Sequence, residues 1–385
     1  MSLDAFLNQK PLYYDKIDYN RFPKIWAKYK SHFHLPKVIH IIGTNGKGST
    51  GRFLAHYLYK LGMKVGHYSS PHILKFNERI WLNGSNVDDK LLEKHHKKLQ
   101  KLLNSEDIDA LSYFEYTTLL AMSIYQECDF IVLEAGLGGE YDATAVFEND
   151  LTLVTPIGID HESFLGNTLE QIAKTKLKAI RKFAILGTQN IKVYKLAKEF
   201  SRKRGIEFFR YGHFFTKDET AKARRVIRNL NLPEFFTQNL LLALSAVKFF
   251  GYEVKLKRFE DLKLFGRMQK ITSNITIDVG HNPLAAKAIA QAFKGKKVVL
   301  VYNSYTDKDY QEILSILSPI IKRVEILPIY GQRVENQQIL ENIIGSLELP
   351  YSVFKATKDE EEYLVFGSFS VVEEFLKHHV KGHIT

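Results

Sequence analysis

The chain has 385 residues, 45% hydrophobic and 25% charged, a globular composition that excludes wholesale disorder and, by its length, predicts two domains or three. Lysine and arginine number 54 against 43 aspartates and glutamates, a formal net charge of +11. That excess predicts an anionic partner without choosing among nucleic acid, membrane surface, nucleotide and polycarboxylate.

The single cysteine, Cys128, excludes an internal disulfide framework and a cysteine-built zinc site. The opening stretch MSLDAFLNQKPLYYDK has no continuous apolar core behind a basic start, so it does not read as a signal peptide. No run approaches the ~18 uninterrupted apolar residues that span a bilayer. The expectation is a cytoplasmic protein without a membrane partner.

From Val38 onward, short apolar runs alternate with helix-period segments, the pattern of a mainly parallel α/β sheet. Val38–Ile42 reads as a strand, and Ser49–Leu61 as a helix ending at Gly62. A helix over Tyr116–Gln126 leads into Phe130–Leu133, an apolar run of the kind buried in parallel sheets, and Leu151–Pro156 is another. Leu240–Phe250 reads as a buried helix, interrupted by Ser245 and Lys248. The charged segment YEVKLKRFEDLK after Gly251 reads as a linker. A second series follows, with strands at Ile275–Val279, Val298–Tyr302, Val324–Leu327 and Tyr363–Phe366, the last running through Gly367 into an amphipathic tail. The boundary falls near residue 260, which divides the chain into 1–260 and 261–385.

The sharpest local signal is Gly43-Thr44-Asn45-Gly46-Lys47-Gly48-Ser49-Thr50, placed between a strand and a helix. Glycines let backbone N–H groups close around phosphate oxygens, and the helix N-terminus adds partial positive charge. Lys47 would reach the outer phosphates, and Ser49 or Thr50 would hold Mg²⁺. The spacing departs from the common G-x-x-x-x-G-K-[ST]: two residues separate the first glycines, and Gly48 follows the lysine.

Three more segments carry oxygen or nitrogen ligands just past candidate strands, where open α/β sheets bind their ligands. Glu134 ends the Phe130 strand and is followed by Gly136, Gly138 and Gly139. His161 lies beside Asp160 beyond the Leu151 strand, and Ser70 follows Val65-Gly66-His67-Tyr68. Each alone fits a helix cap or a structural residue. Beside the phosphate loop they fit a Mg²⁺–ATP site, since oxygen-rich ligands suit magnesium.

GTNGKGST, YSSPHILKFNERI, SYFEYTT, LEAGLGGEYDAT, GIDHESFLGNTLEQIA, FGRMQ and DVGHNP occur in that order. Together they resemble the folylpolyglutamate synthase/dihydrofolate synthase family, a branch of the Mur-ligase-like ATP-dependent amide ligases. The resemblance runs from about Asp18 to the final GSFSVVEEF. It implies an N-terminal P-loop ATPase domain and a smaller C-terminal Rossmann-like domain with ATP between them. It also implies the reaction, in which ATP phosphorylates a pterin or folate carboxylate and the amine of L-glutamate attacks the acyl phosphate. The substrates would be dihydropteroate or a reduced folate, with one or both activities on one chain.

By the same resemblance Ser49, Ser70, Glu134 and His161 belong to a magnesium and nucleotide shell with two metal sites. Lys176 matches the family's carbamylated lysine, a second-metal ligand. Here the chain departs from the family's E-K-A-G, reading Thr175-Lys176-Leu177-Lys178, with Lys174 and Lys178 close by. Asn239 corresponds to an adenine contact and also fits the cap of a buried helix. Arg267 corresponds to the arginine on the nucleotide phosphates. Asp278 and His281 correspond to residues at ATP and the reaction centre, although Asp278 also fits a strand-end cap. Asp307-Lys308-Asp309 fits a family segment and a charged helix start equally.

Ser112, Tyr113, Phe114 and Glu115, with Tyr141, Asp142 and Ala143, correspond to pterin contacts. Tyr113 and Phe114 would stack on a flat pterin or serve as core aromatics. The family's D-L-G-L-E-R is reduced to Ile17-Asp18-Tyr19-Asn20-Arg21, with Asp18 as the substrate contact. The chain also looks short for the family, with trimming expected between Arg181 and Gln238 and in the C-terminal part.

The nearest alternative is a Mur-type cell-wall ligase, but those enzymes carry a UDP-binding domain, and 42 residues precede Gly43. A nucleic-acid-dependent NTPase is the other class, suggested by the basic run Lys222–Arg228; no interleaved aromatic platform accompanies that run. The full set of candidate ligands argues against an inactive nucleotide-binding module. The expectation is a monomer working on small molecules without nucleic acid.

Overall fold

The computed structural model describes residues 1–10, 18–331 and 333–379. Their contacts divide into two compact units. One comprises Met1–Ile157, Phe164–Ala223 and Gln238–Phe259; the other comprises Gly158–Ser163, Arg224–Thr237 and Glu260–Thr385.

The first unit is built on an eight-stranded sheet. Its strands are β1 (Lys37–Ile42), β2 (Val65–Tyr68), β3 (Ile80–Leu82), β4 (Ser85–Asn86), β5 (Phe130–Glu134), β6 (Leu151–Val154), β7 (Phe183–Leu186) and β8 (Glu207–Arg210). Their order is β4-β3-β2-β5-β1-β6-β7-β8, parallel from β2 through β8 and closed at one edge by the antiparallel hairpin β3–β4. β5 and β6 are buried along their whole length, as apolar runs without alternation require when helices cover both faces. The helix Lys47–Lys60 packs on β5 and β2, burying Phe53, Leu54, Tyr57 and Leu58. Gly62, at φ +91°, ends its turn.

The second unit carries a six-stranded sheet of β9 (Gln269–Lys270), β10 (Ile275–Ile277), β11 (Val298–Tyr302), β12 (Ile321–Ile326), β13 (Tyr351–Val353) and β14 (Tyr363–Phe366). The order is β13-β12-β11-β14-β10-β9, parallel except for β9. The mainly parallel α/β architecture expected from the sequence is therefore present in both units.

One expectation needs correcting. The segment after Gly251 is not a free linker through its first half. Phe259 is buried against the rings of Phe53 and Tyr57, with centroids 6.0 and 5.4 Å away. The Tyr57 hydroxyl donates to the Glu253 carbonyl at 2.9 Å and accepts from the Lys255 amide at 2.6 Å. One aromatic and one hydroxyl thus hold a charged stretch onto the first unit. The sequence reading also passed over β7, β8 and the β3–β4 hairpin. No helix among the described residues is long and apolar enough to cross a membrane.

Candidate active site

β1 ends at Ile42 and opens into the glycine loop. Gly43 sits at φ +143°, and a Cβ there would fall 2.0 Å from the Thr155 hydroxyl, so only glycine fits. The Thr44 and Asn45 amides donate to the Pro156 carbonyl at 2.9 and 3.3 Å, which pins the loop to the strand beside it. Gly46 is the N-cap of the helix Lys47–Lys60, at φ +84° and with no side-chain cap. The first backbone bond of that helix runs from the Thr50 amide to the Gly46 carbonyl at 2.9 Å. The first-turn amides ahead of it have no intrahelical acceptor, which leaves partial positive charge at this end of the helix.

Lys47 folds back over the loop and donates from Nζ to the carbonyls of Gly43 and Thr44 at 3.3 and 3.2 Å. Asn239, on the helix Phe236–Phe249, reaches the Gly46 carbonyl from Nδ2 at 3.5 Å. Ser49 and Thr50 are both buried, and the Thr50 hydroxyl has no hydrogen-bond partner among the described residues.

One further residue reaches this loop, and two more stand at the ends of neighbouring strands. Lys176, on the helix Leu169–Leu177, is 4% exposed and donates from Nζ to the Gly43 carbonyl at 3.0 Å. Its helix lies so close to Gly139 that a Cβ there would meet the Lys176 Cα at 2.6 Å. Lys178, the competing lysine, instead pairs with Glu140 at 2.6 Å on the surface. Glu134 ends β5 in register with Ile41 of β1 and is 4% exposed. Ser70, half-buried, follows β2, which pairs with β5. Buried carboxylate and hydroxyl oxygens at adjoining strand ends are the donor chemistry that magnesium takes.

Around the helix Tyr113–Ile124 lies a second group. Ser112 and Glu115 form a capping box, and Glu115 pairs with Arg21 at 2.7 Å. Tyr141 is 52% exposed and lies against Tyr19, with ring centroids 4.3 Å apart. The Asp18 carboxylate is turned to the Asn20 amide at 2.9 Å, and Ile17 lies outside the described residues. Tyr113, beneath the Arg79 guanidinium at 5.3 Å, and Phe114, 5.9 Å from the Tyr68 ring, both pack partly buried against the core. Ala143 is buried. Asp142 is turned inward: it accepts from the Leu137 amide at 2.7 Å and from the amide and hydroxyl of Thr144. Burial raises its pKa, against those hydrogen bonds.

The second unit gathers His161 and His281 around Asp160. Asp160 pairs with Lys308 at 2.8 Å and accepts from Asn282 Nδ2 at 3.0 Å. The two imidazole Nε2 atoms lie 3.9 and 3.8 Å from its carboxylate. Burial alone would raise its pKa, but His161, His281 and Lys308 together hold it well below the usual range. His281, with Nδ1 on the Val279 carbonyl at 3.0 Å, is pushed down by burial and then by Lys308. Asp278 accepts from the Met268 and Gly280 amides at 2.9 and 2.7 Å, tying FGRMQ to DVGHNP. Arg267 stacks over Phe369 at 5.1 Å.

The sequence reading assigned no role to Lys308, Asp160, Arg21 or Tyr19. The only hint of the first was the charged triplet at 307–309.

A glycine loop on a parallel sheet, with carboxylate and hydroxyl oxygens at adjoining strand ends, followed by a second α/β unit, is the architecture of an ATP-dependent ligase of Mur-ligase-like fold. No family model matches the chain. The dihydrofolate synthase/folylpolyglutamate synthase of Escherichia coli is 31% identical over 371 residues, covering 89% of this chain and 86% of that protein. The chain belongs to the dihydrofolate synthase/folylpolyglutamate synthase family. The crystal structure of Helicobacter pylori folylpolyglutamate synthetase is 40% identical at a TM-score of 0.80, each chain covered to 97%. E. coli FolC in complex with DHPP and ADP is 26% identical at a TM-score of 0.83, with 98% of this chain and 97% of that chain covered. The activity is ATP-dependent ligation of glutamate to a pterin or folate carboxylate, and the cell-wall alternative is set aside.

Proposed function

We propose that the chain carries both activities, adding the first glutamate to dihydropteroate and further glutamates to reduced folate, as a cytoplasmic monomer without nucleic acid. The observation that supports the site is the Gly46 helix start without a side-chain cap, with Lys47 and Lys176 both directed at the loop carbonyls.

In this reading residues 1–260 form the ATPase domain and 261–385 the ligase domain. Residues Thr44–Thr50 hold the phosphates, with the first-turn amides of Lys47, Gly48 and Ser49 as donors, and Lys47 neutralises charge on the outer ones. Asn239 contacts adenine, and Arg267 and Asp278 serve the nucleotide. The substrate carboxylate attacks the γ-phosphorus, forming an acyl phosphate and releasing ADP. The glutamate amine then attacks the acyl carbon, phosphate leaves, and the amine loses its proton. His281 serves the reaction centre.

Ser49, Ser70, Glu134 and His161 are the proposed magnesium ligands, over two sites. Magnesium there would supply charge neutralisation on the transferring phosphoryl group. Lys176 is proposed to carry a carbamate, formed when its amine adds CO₂ and gives up a proton, as a further anionic ligand. Asp18, Ser112, Tyr113, Phe114, Glu115, Tyr141, Asp142 and Ala143 are the proposed substrate contacts.

Product analysis with ATP, Mg²⁺ and L-glutamate tests the reading, with dihydropteroate and a reduced folate assayed separately. Equal yields of ADP, phosphate and the glutamylated product are expected with each. Turnover with only one of the two would overturn bifunctionality.

A further inference from the structure

Asp142 is joined to the central strand of the first sheet by a buried hydrogen-bond chain. Thr144 Oγ1 donates to Asp142 Oδ1, and His40 Nε2 lies 2.8 Å from the same Thr144 oxygen. His40, Thr144 and Asp142 are 1%, 1% and 6% exposed. The second Asp142 oxygen takes the Leu137 amide, so this one carboxylate spans the loop from Leu137 to Thr144. His40 stands on β1 between Leu133 of β5 and Thr152 of β6, three residues before Gly43. The chain therefore ties the loop carrying Tyr141 and Asp142 to the strand that opens into the phosphate loop.

The direction of the bonds follows from donor chemistry. An ionised carboxylate only accepts, so the Thr144 hydroxyl spends its one proton on Asp142. Its oxygen must then accept from His40, which requires the Nε2–H tautomer. Burial keeps the imidazole neutral, and Nδ1 has no hydrogen-bond partner among the described residues.

We propose that His40 and Thr144 are positioning residues for the pterin-bearing substrate, setting the 137–144 loop against the phosphate loop through the chain His40–Thr144–Asp142. This rests on the reading of Tyr141 and Asp142 as substrate contacts. Loss of the Thr144 hydroxyl leaves the buried His40 Nε2–H without its acceptor and Asp142 Oδ1 with the Thr144 amide alone, which cuts this tie between the loop and β1. Small shifts at a positioning residue change substrate binding and turnover steeply.

Thr144→Val and Thr144→Ser are the test pair, because the first is close in shape without the hydroxyl and the second keeps it. For Thr144→Val the KM for dihydropteroate should rise about tenfold while the KM for ATP stays within about twofold. Thr144→Ser should restore both. An unchanged dihydropteroate KM, or equal shifts in both constants, would overturn the proposal. Should Thr144→Val fail to fold, ¹⁵N spectra of the labelled wild-type histidines decide. A neutral His40 protonated on Nε2 supports the chain, and protonation on Nδ1 sinks it. Tyr141→Ala separates the underlying reading, because Tyr141 is exposed. Dihydropteroate KM unmoved by that change would remove the substrate role of the loop, whatever the tautomer shows.

Discussion

Lys176 donates to the Gly43 carbonyl at 3.0 Å, whereas Lys178, two residues on, turns to the Glu140 carboxylate. The two lysines share a sequence neighbourhood and little else. The buried one addresses the phosphate loop, and the other forms an exposed pair of the kind that contributes about 0–1 kcal/mol.

Lys176→Ala should therefore abolish ligation, and formate or acetate should restore part of it by replacing the carbamate. Lys178→Ala should retain wild-type turnover. Steady-state assays with and without added carboxylate check both, and rescue confined to Lys178→Ala would reassign the carbamate.

Lys47→Ala should lower kcat by at least about a hundredfold, the scale of losing a charged contact to a transferring phosphoryl group. The side chain lies over the loop and not in the core, so circular dichroism and the melting temperature should stay near wild type.

Gly139→Ala drives a methyl group to 2.6 Å from the Lys176 Cα and 2.7 Å from its carbonyl oxygen. The helix must move, and Lys176 with it. Ligation should fall sharply. Gly205→Ala is the control: that residue sits at φ +65° in open space, so the cost is about 1 kcal/mol of stability with turnover kept. Parallel kinetics and thermal melts on the two variants separate the effects.

His40 supplies a pH signature. Burial, aided by the charge of Arg181, pushes its pKa down to about 3, against about 6.5 in an unfolded chain. Below about pH 6.5 the unfolded chain takes up a proton that the folded one refuses, so stability present above that pH is lost as pH falls toward 3. His40→Gln keeps a donor without the titration. Its acid slope should be shallower by up to about 1.4 kcal/mol per pH unit, measured by urea unfolding between about pH 7.5 and 5. A gap from wild type that stays constant over that range would contradict the assignment.

The parts legible in the sequence were those whose cause is local. The Val38 strand, the glycine loop and the helix behind it lie within about two dozen residues, and apolar period plus glycine placement define them. The partnerships were not legible. His40 and Thr144 are 104 positions apart and meet because β1 lies beside β5, while Asp160 and Lys308 are 148 apart and meet because Gly158–Ser163 belongs to the second unit. The segment after Gly251 misled for a related reason. Its charges dominate the composition, while the buried Phe259 ring and the bonds to the Tyr57 hydroxyl carry its attachment. The hairpin β3–β4 is too short for a period to show.

Gly46 leaves a common source of helix stability unused. A serine, threonine or asparagine at a helix N-cap typically adds about 1 kcal/mol by giving the first-turn amides an oxygen of their own. Here any side chain would also run into Asn239 Nδ2, 2.7 Å from where its Cβ would stand. A residue that completed the helix would compete with phosphate for the same amides. The start of the helix Lys47–Lys60 is thus closed to the usual stabilising cap twice over, by its left-handed backbone and by Asn239, and its amides stay open at a standing cost in helix stability.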